Sequence, residues 1–143
     1  NVRFIVSGDV SKFSDKIQSA IKHAIDVTKE GKAITVNLAL NYGGRDEIVR
    51  AARRISTDVK EKKINPLDID EALFSSYLDT AGLPEVDLII RPSGELRLSN
   101  FLLWQSAYAE FWFSDICWPD FTEKDMKAAI ISYQSRDRRF GAV

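Results

Sequence analysis

Residues 33–59 read AITVNLALNYGGRDEIVRAARRISTDV, and this stretch decides the class of fold. Ala33 to Leu40 is apolar almost without interruption and rich in β-branched side chains, as expected of a strand covered on both faces. Asn41-Tyr42-Gly43-Gly44-Arg45 interrupts it with turn residues. Beyond Arg45, Ile48, Ala52, Ile55 and Val59 fall on one side of a helix, with Arg50, Arg53, Arg54, Lys60 and Lys62 elsewhere. A buried strand, a glycine turn and an amphipathic helix in that order form a βα unit.

The same alternation continues in both directions. Upstream, Val2 to Val6 reads as a short buried strand closed by Ser7-Gly8-Asp9. Ser14 is placed to cap a helix whose apolar face is Ile17, Ala20, Ile21, Ala24 and Ile25, with Gly31 as its stop. Downstream, Asn65-Pro66 breaks the second helix, and a short helix is expected from about Asp70 to Leu78. Val86 to Ile90 is a third strand and Ala109 to Phe113 a fourth. Trp118-Pro119-Asp120-Phe121 is a turn. Thr122 and Asp125 open a last helix with Met126, Ala129, Ile130 and Tyr133 facing inward. Four apolar strands separated by helices predict an α/β fold, a mostly parallel sheet flanked by helices.

The 143 residues suit a single domain. They carry 20 Lys+Arg against 21 Asp+Glu and 45% hydrophobic residues, an ordinary globular balance. Without a basic surplus, a dedicated nucleic-acid binder is disfavoured. Cys117 stands alone, so no disulfide framework or cysteine-rich zinc site can form, and a reducing, cytoplasmic compartment is the natural expectation. No apolar run reaches the ~20 residues of a membrane-spanning helix. The chain starts at Asn1 and its one methionine is Met126, so a processed or truncated polypeptide is expected.

Ligands of open α/β sheets bind beyond the carboxyl ends of the strands. Three loops leave such ends: Gly8-Asp9, Asn41 to Arg45, and Arg91 to Ser99. Arg91-Pro92-Ser93-Gly94-Glu95-Leu96-Arg97-Leu98-Ser99-Asn100 places two arginines, two serines and a glycine in ten residues. Arginine forks, a short hydroxyl and close backbone approach suit a diphosphate. The alternative is that Arg91 and Arg97 simply pair with Glu95 or Asp87. A helix starting at Ser99-Asn100 would add free N–H groups. Gly43-Gly44 permits either an anion-accepting nest or a plain βα turn, and no P-loop motif is present. Glu110 lies in an aromatic stretch, where a carboxylate must be paired, protonated or bound to a cation such as Mg²⁺. His23 reads as a surface residue and Cys117 as a packed thiol. Arg50, Arg53 and Arg54 read as a solvated helix face. Arg136, Arg138 and Arg139 form a cluster able to reach an anion or a partner subunit. The crowd of Trp and Phe side chains from Phe101 to Phe121 suggests core or an oligomer interface.

Asn41 to Arg45, Arg91 to Gln105, Tyr108-Ala109-Glu110, Trp118 to Phe121 and Arg138-Arg139-Phe140-Gly141 also carry a resemblance. In order and spacing they resemble the cis-prenyltransferases, nearest to the bacterial branch that makes undecaprenyl diphosphate. The resemblance implies an enzyme that adds isopentenyl diphosphate units in cis configuration to an allylic diphosphate such as farnesyl diphosphate, producing the carrier lipid for cell-wall glycans. It implies a six-stranded parallel sheet, a homodimer and Mg²⁺, with the lipid product allowing peripheral membrane contact. By matching position, Arg91, Arg97, Leu98 and Ser99 would bind isopentenyl diphosphate, Glu110 would be metal-linked, and Arg139 and Gly141 would reach the partner subunit's site. Leu96 stands where some bacterial members have histidine. The family's N-terminal part, with the first diphosphate site, has no counterpart here. Residues 1–143 are therefore expected to be the C-terminal part of one such domain, with four of the six strands and no activity alone. A different reading is a non-catalytic partner subunit of a heteromeric enzyme, but such subunits lack the arginine-serine motif kept here.

Overall fold

The computed structural model describes residues 1–136 of the chain. They form two compact units, Asn1–Leu83 and a second that begins at Pro84.

In the first unit, β1 (Val2–Ser7) runs parallel to β2 (Ile34–Ala39), with Val2 opposite Ile34 and Ser7 opposite Ala39. The helix α1 (Asp15–Thr28) joins them, as a parallel pair requires. Ser14 takes the N-cap position but its hydroxyl makes no capping bond. Thr28, at the other end, fastens the helix to the strand. Its Oγ1 accepts from the Phe4 N–H at 3.0 Å and donates to the Ala24 carbonyl at 2.7 Å. Of the expected apolar face, Ile21, Ala24 and Ile25 are half-buried, while Ile17 and Ala20 are exposed. Gly31 is more than a stop signal: a Cβ there would lie 2.3 Å from the Val2 carbonyl oxygen, so only glycine lets the chain pass.

The next helix, α2 (Gly44–Lys60), buries Gly44, Glu47, Ala51 and Ile55; of the expected Ile48-Ala52-Ile55-Val59 face, Ile55 is buried as expected. Ala52 is exposed, and Ile48 and Val59 are only half-buried. The short α3 (Glu71–Ser76) starts where Asp70 accepts the Leu73 N–H at 2.7 Å. Tyr77, just after it, donates to Asp58 Oδ2 at 2.6 Å, which ties the ends of α2 and α3 together and holds the Asp58 carboxyl below its usual range.

In the second unit, β3 (Leu88–Arg91) runs parallel to β4 (Glu110–Phe113), with Leu88 opposite Glu110 and Arg91 opposite Phe113. The last helix, α4 (Glu123–Gln134), opens with the expected capping box, in which Thr122 and Asp125 satisfy each other's terminal groups. Ala129 is fully buried, but Met126 and Ile130 are exposed. One further expectation is corrected: residues 99–108 form successive turns and bends rather than a helix. The parallel α/β expectation holds: all four expected strands are present, and both described pairs are parallel, one pair in each unit. No helix among the described residues is long and apolar enough to cross a membrane.

Gly8 closes β1 with φ +110°, and a Cβ there would sit 2.1 Å from the Leu40 carbonyl oxygen. Gly8→Ala is expected to lower the unfolding free energy by roughly 3 kcal/mol in urea titration, through left-handed strain and the backbone clash together. A loss under about 1 kcal/mol would show that the β1–β2 ends are free to part.

Candidate functional site

The carboxyl ends of β1 and β2 converge. The Asp9 N–H donates to the Asn41 carbonyl at 3.3 Å, and the Asn41 amide returns a bond to the Asp9 carbonyl at 2.9 Å. Asn41 itself holds the left-handed conformation, φ 46°, which Asn tolerates better than most residues. Neither Gly43 nor Gly44 has positive φ, so the plain turn accounts for them, not a nest.

Beneath these loops lies a cluster of charge. The Arg50 guanidinium grips Asp79 with both arms, Nη1 to Oδ1 at 2.7 Å and Nη2 to Oδ2 at 2.6 Å. Asp79 Oδ2 also accepts the Gly8 N–H at 2.9 Å. The Asp79 N–H donates to Glu47 Oε1 at 2.8 Å, and the Tyr42 hydroxyl to Glu47 Oε2 at 2.5 Å. Ser7 completes the set, donating to the Asp79 carbonyl at 3.3 Å while accepting from Asn37 Nδ2 at 2.9 Å. The bidentate arginine, above all, holds the Asp79 carboxyl below its ordinary range, against the opposing effect of burial. Sequence reasoning missed this cluster, having placed Arg50 on a solvated face and passed over Glu47, which is fully buried.

The loop from Arg91 belongs to the second unit. It is anchored where the Ser93 N–H donates to the Ile116 carbonyl at 2.7 Å and the Gly94 N–H to the Ser114 carbonyl at 2.8 Å. Ser93 (φ 80°), Gly94 (φ 73°), Ser99 (φ 48°), Asn100 (φ 68°) and Leu102 (φ 46°) are all left-handed. Left-handed backbone at Ser99, Asn100 and Leu102 is why no helix begins there. Such a concentration of unfavourable conformations occurs at ligand sites more than elsewhere. Arg91 Nη1 donates to the Arg97 carbonyl at 2.5 Å, which draws the two arginine segments together. Arg97 is ion-paired with Glu95, the partner that the charge-pairing alternative named. Ser99 is exposed, Leu98 half-buried, and Leu96 is 78% exposed.

Glu110 stands at the start of β4, three rungs from the Arg91–Phe113 pair, a separation of about 10 Å along the strands. The pairing thus puts it at the opposite strand end from Arg91, and residues 92–109 lead from that end back to it. Its Oε2 accepts from Arg136 Nη1 at 2.6 Å, and its side chain is 27% exposed. Among the described residues no group of three or more His, Cys, Asp and Glu side chains could cage a metal. One reachable carboxylate still fits Mg²⁺, which commonly takes one or two carboxylates and fills its shell with phosphate oxygens and water. Cys117 is exposed, not packed, and His23 is exposed as expected. Trp118 stacks edge-on against Phe121 with ring centres 5.2 Å apart yet remains 65% exposed. Arg138, Arg139 and Gly141 lie outside the described residues.

A family model described as undecaprenyl diphosphate synthase matches residues 1–141. The chain is 54% identical to an isoprenyl transferase of Clostridium perfringens over 99% of its own length and 56% of the relative's. It is 49% identical to a Haemophilus influenzae ditrans,polycis-undecaprenyl-diphosphate synthase, over 99% of the chain and 59% of the relative. Among solved structures it resembles lavandulyl diphosphate synthase from Lavandula x intermedia, in complex with dimethylallyl diphosphate. That match has a TM-score of 0.95 and 43% identity, and covers 98% of this chain and 60% of that one. A probable undecaprenyl diphosphate synthase of Campylobacter jejuni matches with a TM-score of 0.84 and 42% identity, covering 98% and 63%. The chain therefore spans 56% to 63% of the length of these relatives.

The Arg50–Asp79 pair makes a pH-dependent contribution of defined sign. With the folded carboxyl below its ordinary value, the stabilisation is complete above about pH 4 and is lost as the pH falls through the lower, folded value. Asp79→Asn is expected to be less stable at pH 7 and to lose less stability than the parent on acidification below about pH 4, measured by urea midpoints across pH. Equal acid limbs in the two proteins would remove Asp79 from this role.

Proposed function

This chain belongs to the family described as undecaprenyl diphosphate synthase, and from that premise we propose that the polypeptide carrying it is a cis-prenyltransferase. It joins isopentenyl diphosphate to an allylic diphosphate of the farnesyl type. The observation that carries the proposal is the left-handed Arg91–Leu102 loop, in which Arg91 reaches the Arg97 backbone and Ser99 is presented to solvent.

In the reaction the allylic C–O bond breaks and diphosphate leaves with the electron pair. The isopentenyl double bond attacks the allylic carbon, and a proton is lost from the adjacent carbon to restore a double bond. Most of the task is holding two polyanions in the right order and orientation. We assign Arg91 and Arg97 to the diphosphate oxygens of isopentenyl diphosphate, Ser99 to a hydroxyl contact, and Leu98 to the loop wall beside them. Arginine suits this work because its planar fork matches two oxygens at once and does not lose its charge. Glu110 is assigned to Mg²⁺, which when bound supplies charge stabilisation to the diphosphate. No proton-transfer or ionising residue is assigned within residues 1–136. By the same reading the enzyme works as a homodimer, with Arg139 and Gly141 directed to the partner's site, and makes a polyprenyl diphosphate of the undecaprenyl type.

Arg97→Ala is expected to weaken isopentenyl diphosphate binding roughly 10–100-fold, the size of one lost charge-assisted contact. Calorimetric titration with and without Mg²⁺ measures it. Unchanged affinity in the variant would sink the assignment of this loop, and a preference for inorganic phosphate or nucleotides over isoprenyl diphosphates would sink the substrate class.

A further inference from the structure

The Glu110–Arg136 ion pair raises a question of competition. Glu110 is fixed at the backbone, where its N–H donates to the Asp87 carbonyl at 2.9 Å as β4 begins. Arg136 is fixed just beyond α4, where its N–H donates to the Tyr133 carbonyl at 3.1 Å. Two anchored chain segments are thus joined by a charged contact, Arg136 Nη1 to Glu110 Oε2 at 2.6 Å. Their side chains are 36% and 27% exposed, so the pair is open to exchange with ions in solution. A divalent cation seeking a carboxylate oxygen here meets a guanidinium already on it, and two positive groups cannot share that oxygen without repulsion.

We propose that Arg136 is the resident counter-ion of Glu110 and that a divalent cation takes Glu110 by displacing it. Cation uptake and the fastening of the end of α4 to the start of β4 are then mutually exclusive. This rests on the assignment of Glu110 to the metal and adds to it a residue that opposes occupancy. Because the pair is exposed, its opposition is modest.

The test is Mn²⁺ titration of the full chain, with free Mn²⁺ read by electron spin resonance. Arg136→Gln is expected to bind Mn²⁺ roughly two- to five-fold tighter than the parent, the range an exposed ion pair can impose. Arg136→Lys, which keeps the charge, should stay near the parent. Arg53→Gln removes the same charge from an exposed position on α2 and should leave the affinity unchanged. With Glu110→Gln already present, the Arg136 change should have no effect. The proposal is overturned if Arg136→Gln leaves the affinity unchanged or weaker, or if its gain survives in the Glu110→Gln background. Glu110→Gln alone binding Mn²⁺ like the parent would overturn the metal assignment as well. Isopentenyl diphosphate titration without cation reports on the arginine loop alone, so the two readings fail separately.

Discussion

A carboxylate taken out of water must find a partner, and that constraint organises the first unit of this chain. Glu47 is wholly buried there and the Asp79 side chain is 10% exposed; they are tied to Tyr42, Arg50, Gly8 and each other through the Asp79 backbone. A single hydrophobic contact could slide. A bidentate guanidinium–carboxylate pair with a further backbone donor has one good geometry. Arg50 also holds Asp46, 2.7 Å from its Nε, so losing Asp79 would leave the guanidinium one carboxylate, while losing Arg50 would leave the Asp79 carboxylate with the Gly8 N–H. The ends of β1 and β2, the turn after β2 and the chain after α3 are therefore held in fixed relation by charge as much as by packing.

Much of this architecture is legible in the sequence, and the exceptions have physical causes. The strands announce themselves because three short runs are apolar and β-branched and a fourth, Ala109 to Phe113, is mostly apolar and aromatic, and the α4 capping box is local enough to read from Thr122 and Asp125 alone. Glu47 escapes because hydrophobic periodicity asks which apolar residues recur. Yet Glu47, Ala51 and Ile55 share the four-residue spacing of a buried stripe, so the signal was in the pattern and was masked by residue type. Arg50 escapes for another reason: its partner lies 29 residues away, and nothing local distinguishes a paired arginine from a solvated one. The expected helix at Ser99 fails because three left-handed residues interrupt it. Asn100 is of a type that accepts this conformation, but Ser99 and Leu102 give no warning.

The candidate site divides in the same way. That Arg91, Arg97 and Ser99 share one loop follows from the sequence and from the strand end that precedes them. That Glu110 is not level with Arg91 follows only from the register, which sets it opposite Leu88. Of the two readings of the arginines, pairing is observed for Arg97, which holds Glu95, and the anion role is the one proposed.

The two readings are compatible on energetic grounds. Arg97 and Glu95 have side chains 62% and 39% exposed, and exposed pairs of that kind contribute about 0–1 kcal/mol. A charge-assisted contact to a diphosphate contributes about 1.5–3 kcal/mol. Exchanging the first for the second runs downhill, so an internal pair does not disqualify an arginine as a ligand-binding group. It gives the guanidinium a defined resting place, on a loop whose backbone is already committed to an unfavourable shape. Arg91 differs: its bond to the Arg97 carbonyl is part of that shape, so it supports the loop whether or not an anion is held. In the proposed complex both arginines meet the diphosphate, Arg91 while its bond to the Arg97 carbonyl keeps the loop in shape and Arg97 by exchanging Glu95 for it.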